Sequence, residues 1–93
     1  MNIAIVDDEK VDLEAADFFL RCYIKKFWSE HEAEIHIENF HRAEDFLRVF
    51  SAQCYHLVIL GANMEHVEKF IRAENNFDTK IIFLKLNDAG GKL

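Results

Sequence analysis

Proline is absent from all 93 residues, although average usage of ~5% predicts about four or five. A function that needs a cis-proline, a proline turn or a PxxP ligand is therefore excluded. Glycine is scarce as well. Gly61 stands alone and Gly90-Gly91 sit near the end, so there is no glycine-rich phosphate loop. The two cysteines, Cys22 and Cys54, are too few and too far apart for a disulfide framework or a zinc knuckle, and they read as reduced core thiols. No apolar run approaches the ~20 residues that span a bilayer; runs such as Leu57–Leu60 and Ile81–Leu84 stop after four. Asp7, Asp8 and Glu9 interrupt the opening apolar stretch before a secretory h-region develops, so the expected compartment is the cytoplasm. Positive charge is also short, with 11 Lys and Arg against 17 Asp and Glu, a net charge of −6. Phosphate-binding domains are basic, so direct nucleic-acid binding is not expected.

What remains is the balance of a globular domain: 51% hydrophobic and 30% charged residues. Asn2–Val6 is a short apolar run suited to a buried strand. From Lys10 to about Glu32 the period becomes helical. Val11, Ala15, Phe18, Phe19, Cys22, Tyr23 and Phe27 recur at three- and four-residue steps and predict one inward stripe. Asp8 or Asp12 is the expected cap. Glu34–Phe40 alternates, with Ile35 and Ile37 inward and His36 outward, as in a strand with one wet face. Arg42–Ala52 returns to helical spacing through Ala43, Phe46, Leu47 and Phe50. Leu57–Leu60 predicts a buried strand, Met64–Asn75 a helix with Val67, Phe70 and Ile71 inward, and Lys80–Leu86 a last strand. The nine phenylalanines read as core. This β-α-β-α-β-α-β order predicts an α/β three-layer sandwich with an open parallel sheet over residues 1–87, followed by a tail at 88–93.

In an open parallel sheet, sites form beyond the carboxyl ends of the strands. Those ends carry Asp7-Asp8-Glu9, Gly61-Ala62-Asn63 and Lys85-Leu86-Asn87. An acidic pair there suits a hard cation such as Mg²⁺, and it equally suits a helix cap. The five histidines show no ligand spacing. A small hydrolase needs a nucleophile–base pair, and none is found.

Ile-Ala-Ile-Val-Asp-Asp-Glu at positions 3–9, Tyr55-His56-Leu57-Val58-Ile59-Leu60, Glu44-Asp45-Phe46-Leu47 and Lys80-Ile81-Ile82-Phe83-Leu84 together resemble the response-regulator receiver domain of two-component signalling. The resemblance is closest to receivers that precede LytTR-type DNA-binding domains, and it runs in order from residue 1 to about 87. It implies a flavodoxin-like sheet of order 2-1-3-4, with the family's fifth strand and helix absent. It also implies that Asp7 and Asp8 are the acidic metal-binding pair, with Asp8 the direct ligand and the Asn63 carbonyl beside it.

The departures set the functional expectation. The phosphoacceptor aspartate is replaced by Gly61, and the hydroxyl switch residue by Lys85. The lysine-bearing fifth strand has no counterpart. No phosphorylation at the usual position is expected, and no cofactor is expected beyond weak Mg²⁺ at Asp8. Two readings of Lys85 stand: a counter-ion to the vestigial acidic pocket, or a solvated residue at a strand end. Without a fifth strand, the edge formed by Lys80, Ile81, Ile82, Phe83, Leu84, Lys85 and Leu86 would be open to pairing. A homodimer or protein partner is expected there, with Lys80 and Lys85 opposing it. The expected function is a pseudo-receiver that acts by protein–protein interaction. The alternative is a phospho-regulated receiver fragment of a transcription regulator.

Overall fold

A computed structural model of the chain describes residues 1–50, 54–74 and 78–84. They form β1 (Asn2–Val6), α1 (Lys10–Phe27), a 3₁₀ helix (Ser29–Glu34), β2 (His36–Phe40), α2 (Ala43–Val49), β3 (Leu57–Leu60), α3 (Glu65–Glu74) and β4 (Lys80–Phe83). The four strands are all parallel, in the order β2-β1-β3-β4. This is the open parallel α/β sandwich that the alternation predicts, in the flavodoxin-like strand order that the resemblance implies. Ends expected at Ala52 and Asn75, together with Lys85, Leu86 and the tail at 88–93, lie outside the described residues.

Register explains the two cores. Ladder partners share a face, so Ile5, Ile59 and Ile82 line one side of the sheet. Val6, Leu60 and Phe83 line the other. On the Val6 side, α2 and α3 contribute Ala43, Phe46, Val67 and Ile71, all buried. Phe46 is fully enclosed, with the rings of Phe40, Phe50 and Tyr55 at 5.3–5.5 Å. The Tyr55 hydroxyl donates to Glu38 Oε1 at 2.6 Å. Burial and that carboxylate hold the phenol well above its usual pKa, so it remains a donor.

On the other side, α1 packs over β1 and β2 through Leu13, Ala16, Ile24 and the half-buried Leu20. This corrects the inward stripe expected from the sequence. Val11, Phe18, Phe19, Tyr23 and Phe27 are 52–76% exposed. Cys22 and Cys54 are exposed free thiols and not core residues, and Phe70 sits at the surface against the Phe50 ring. α1 carries apolar residues on nearly its whole circumference, and three-and-four spacing alone does not say which arc meets the sheet. The helix also ends earlier than expected. The Trp28 amide closes its last turn on the Ile24 carbonyl, and the chain then tightens into the 3₁₀ helix.

Candidate functional site

The carboxyl ends of β1, β2 and β3 open into a cleft of about 590 Å³. Asp8 enters it from the loop after β1, His41 and Arg42 from the loop after β2, Asn63 and Met64 from the turn after β3, and His66 from the first turn of α3. In the order β2-β1-β3-β4, the connections that leave β1 and β3 run in opposite directions, toward β2 and β4, and ligands of open α/β sheets bind at such a reversal. The sequence points to Asp8 and Asn63, marks His41 and His66 only as histidines without ligand spacing, and does not single out Arg42. The strand ends that draw attention by composition are the first, third and fourth, not the second. The signal that would have found His41 and Arg42 is their position just past Phe40, the last residue of β2.

Asp7 and Asp8 follow each other in sequence and part in space. Asp8 is exposed at the cleft, whereas Asp7 is 6% exposed. Asp7 Oδ1 accepts from the Glu9 amide at 2.9 Å. It thereby ties down the approach to α1, where the N-cap Glu9 makes no side-chain cap of its own. Neither Asp8 nor Asp12 takes the capping role that was expected. The ladder pairs Val6 with Leu60, and the Gly61 amide donates to the Val6 carbonyl at 2.8 Å. Asp7 and Gly61 are therefore neighbours across the end of the sheet, and the Asp7 carboxyl lies over the bare Gly61 Cα. A Cβ built on Gly61 would stand 2.6 Å from both carboxyl oxygens. No described residue other than a glycine takes positive φ, and Gly61 does not either, so this glycine serves space and not backbone conformation.

Burial raises the Asp7 pKa above the ordinary aspartate value, and the charges of Asp12, Asp8 and Glu9 add to the rise against the lowering effect of the Glu9 amide. A raised folded-state pKa favours folding below the unfolded value of ~3.9 and loses that contribution as pH climbs through the folded value. The ionised Asp7 therefore costs stability at neutral pH. Asp7→Asn keeps an acceptor for Glu9 and removes the charge. We expect it to raise the melting temperature at pH 7 by roughly 4 °C, the shift that about 1 kcal/mol gives a chain of this size. The gain should shrink as pH falls toward 4. A melting series of both proteins by circular dichroism checks it, and a gain that grows on acidification contradicts it.

This donor set does not suit a resident Mg²⁺. Asp7 is buried against Gly61 with one oxygen engaged by an amide, and Asp8 is a single exposed carboxylate. Among the described residues, no three His, Cys, Asp or Glu side chains converge as a metal site. Mg²⁺ needs near-octahedral oxygen coordination, which one surface carboxylate does not impose. Lys85, the expected counter-ion, lies outside the described residues. At the opposite edge, β4 is the last strand of the sheet among the described residues, with Ile82 48% exposed. No helix of the described residues is long and apolar enough to cross a membrane. No family model, no curated protein and no solved structure matches this chain.

Proposed function

We propose that this chain is a pseudo-receiver: a cytoplasmic signalling module descended from response-regulator receivers that works by binding protein and performs no phosphoryl transfer. The observation that carries the reading is the Asp7–Gly61 contact. Phosphoryl transfer to protein needs a nucleophile held in line and charge stabilisation around it. At the end of β3 the chain offers Gly61, with no side chain, and the space above it holds the Asp7 carboxyl. That carboxyl is buried against Gly61 and engaged by the Glu9 amide, so it is not presented to an incoming phosphoryl donor. Asp8 is exposed without a partner metal site among the described residues.

The binding role rests on β4. Its outer edge has no strand beside it among the described residues, and Ile82 is half in water. Such an edge supports strand pairing with a protein partner or a second copy. Lys80 is exposed on this strand and restrains indiscriminate pairing.

The test is incubation with acetyl phosphate and Mg²⁺, followed by intact-mass spectrometry and beryllium-fluoride titration by NMR. The expected result is no phosphoryl adduct and no saturable shifts at Asp7, Asp8 or Gly61. A hydroxylamine-labile adduct on Asp7 or Asp8 overturns the reading in favour of a phospho-regulated receiver fragment.

A further inference from the structure

Among the described residues, the exposed aromatic side chains concentrate on α1 and not on β4. Leu13, Ala16, Leu20 and Ile24 face the sheet, while Val11, Ala15, Phe18 and Cys22 repeat the same spacing on the opposite side of the helix. Phe19, Tyr23 and Phe27 fill the flank between them. Phe18 is 62% exposed, Phe19 60%, Phe27 59% and Tyr23 52%, and Trp28 just past the helix is 42% exposed. At about 150–250 Å² per aromatic side chain, these five leave roughly 500 Å² of ring surface in water. That is already near the upper range for the largest patch on a monomer, ~300–600 Å². With Val11, Ala15 and the Lys26 stem added, the face approaches the ~800 Å² that each partner contributes to a standard interface.

Charge says what covers it. The chain as a whole is acidic, with a net charge of −6, yet α1 carries Lys10, Arg21, Lys25 and Lys26 against Asp12, Glu14 and Asp17. The three carboxylates lie in the N-terminal half, and three of the four cations lie in the C-terminal half. Two parallel copies would set like charge on like. Two antiparallel copies set each half against its complement. Reversal about Phe19 brings Asp12 of one copy opposite Lys26 of the other, and Glu14 close to Lys25. The same reversal sets Val11 against Phe27, the small Ala15 against the large Tyr23, and Phe19 against itself. Apolar matching and charge matching thus share one axis, which is the signature of an isologous two-fold contact. The internal pairs do not oppose this. Arg21 is held by Asp17 at 2.9 Å on the same helix, Lys25 reaches Glu32 at 3.4 Å, and Lys26 lies 5.4 Å from the Phe27 ring, all at the surface.

We propose that two copies of this chain associate through α1, with their exposed aromatic faces packed antiparallel about a two-fold axis at Phe19. The contact is independent of the β4 edge and of the phosphorylation state of the cleft, so it goes beyond the pseudo-receiver reading and does not rest on it.

Sedimentation velocity on the full chain at micromolar to high-micromolar concentration tests it, with circular dichroism confirming the fold of each variant. The wild type is expected to sediment as a concentration-dependent dimer. Phe19→Glu is expected to abolish dimerisation. Lys26→Glu should raise the dimer dissociation constant about fivefold, since two symmetric pairs turn repulsive. Adding Asp12→Lys to Lys26→Glu should restore it, because the pair is then re-formed with reversed signs. Val49→Asp, at an exposed apolar residue of α2 that belongs to neither surface, should leave self-association unchanged. A wild-type chain that stays monomeric at high micromolar concentration overturns the proposal. So does a dimer that Ile82→Asp dissolves and Phe19→Glu leaves intact, or a charge-swapped variant no better than Lys26→Glu alone.

Discussion

Phe46→Ala is expected to lower stability by about 3–5 kcal/mol, the cost of removing a large buried ring and leaving its cavity. For a chain of this size that is a large part of the total, ~5–15 kcal/mol. Phe46 is fully enclosed and is the aromatic to which three others turn: Phe40 at 5.3 Å, Phe50 at 5.4 Å and Tyr55 at 5.5 Å. Its loss removes transfer energy and three edge or tilted ring contacts, each of which adds ~0.5–1.5 kcal/mol beyond area alone. Phe18→Ala removes the same side chain from a site 62% exposed and should cost under about 1 kcal/mol. Urea titration of the pair separates enclosed phenylalanine from exposed phenylalanine. Equal costs would place α1 differently on the sheet.

Gly61→Ala should cost about 2 kcal/mol, within the range of overpacking a filled site. The added methyl group would meet the Asp7 carboxyl, with both oxygens 2.6 Å away and Cγ closer still. Asp7 must then swing out and surrender its bond from the Glu9 amide. Asp7→Gly also gives up that bond but opens the space, so the double variant should be more stable than the sum of the single costs predicts. Contacting residues couple by ~0.5–3 kcal/mol, and a cycle in urea measures the term directly. Additivity would mean that the two residues do not touch. The same crowding bears on the cleft: a carboxylate cannot be returned to position 61 while Asp7 keeps this rotamer.

The course of the chain was legible because alternation of short β-branched runs with helical spacing leaves few topologies open. Leu57–Leu60 and Asn2–Val6 were readable to the residue, since strands buried on both faces consist of little else. α1 was not readable in the same way. Its aromatic residues outweigh Leu13, Ala16 and Ile24 in hydrophobicity, yet these smaller side chains are the buried ones. They allow the helix to lie close on β1 and β2. The acidic pair was found and its geometry was not. Neighbours in sequence at a strand end point to opposite sides, and Asp7 meets Gly61 only because the register sets Val6 beside Leu60. A contact made by two strands more than fifty positions apart leaves no local trace in either.

The strand order also bears on how this chain is made. β1 lies between β2 and β3, with Asn2 paired to His36 and Ile3 paired to Leu57. β1 is thus translated before either of its partners, and its two ladders wait for residues 36–40 and then 57–60. At ~5–20 residues per second the apolar run Ile3–Val6 waits for seconds without a mate. Long-range parallel pairing of this kind slows folding and favours capture by chaperones during synthesis.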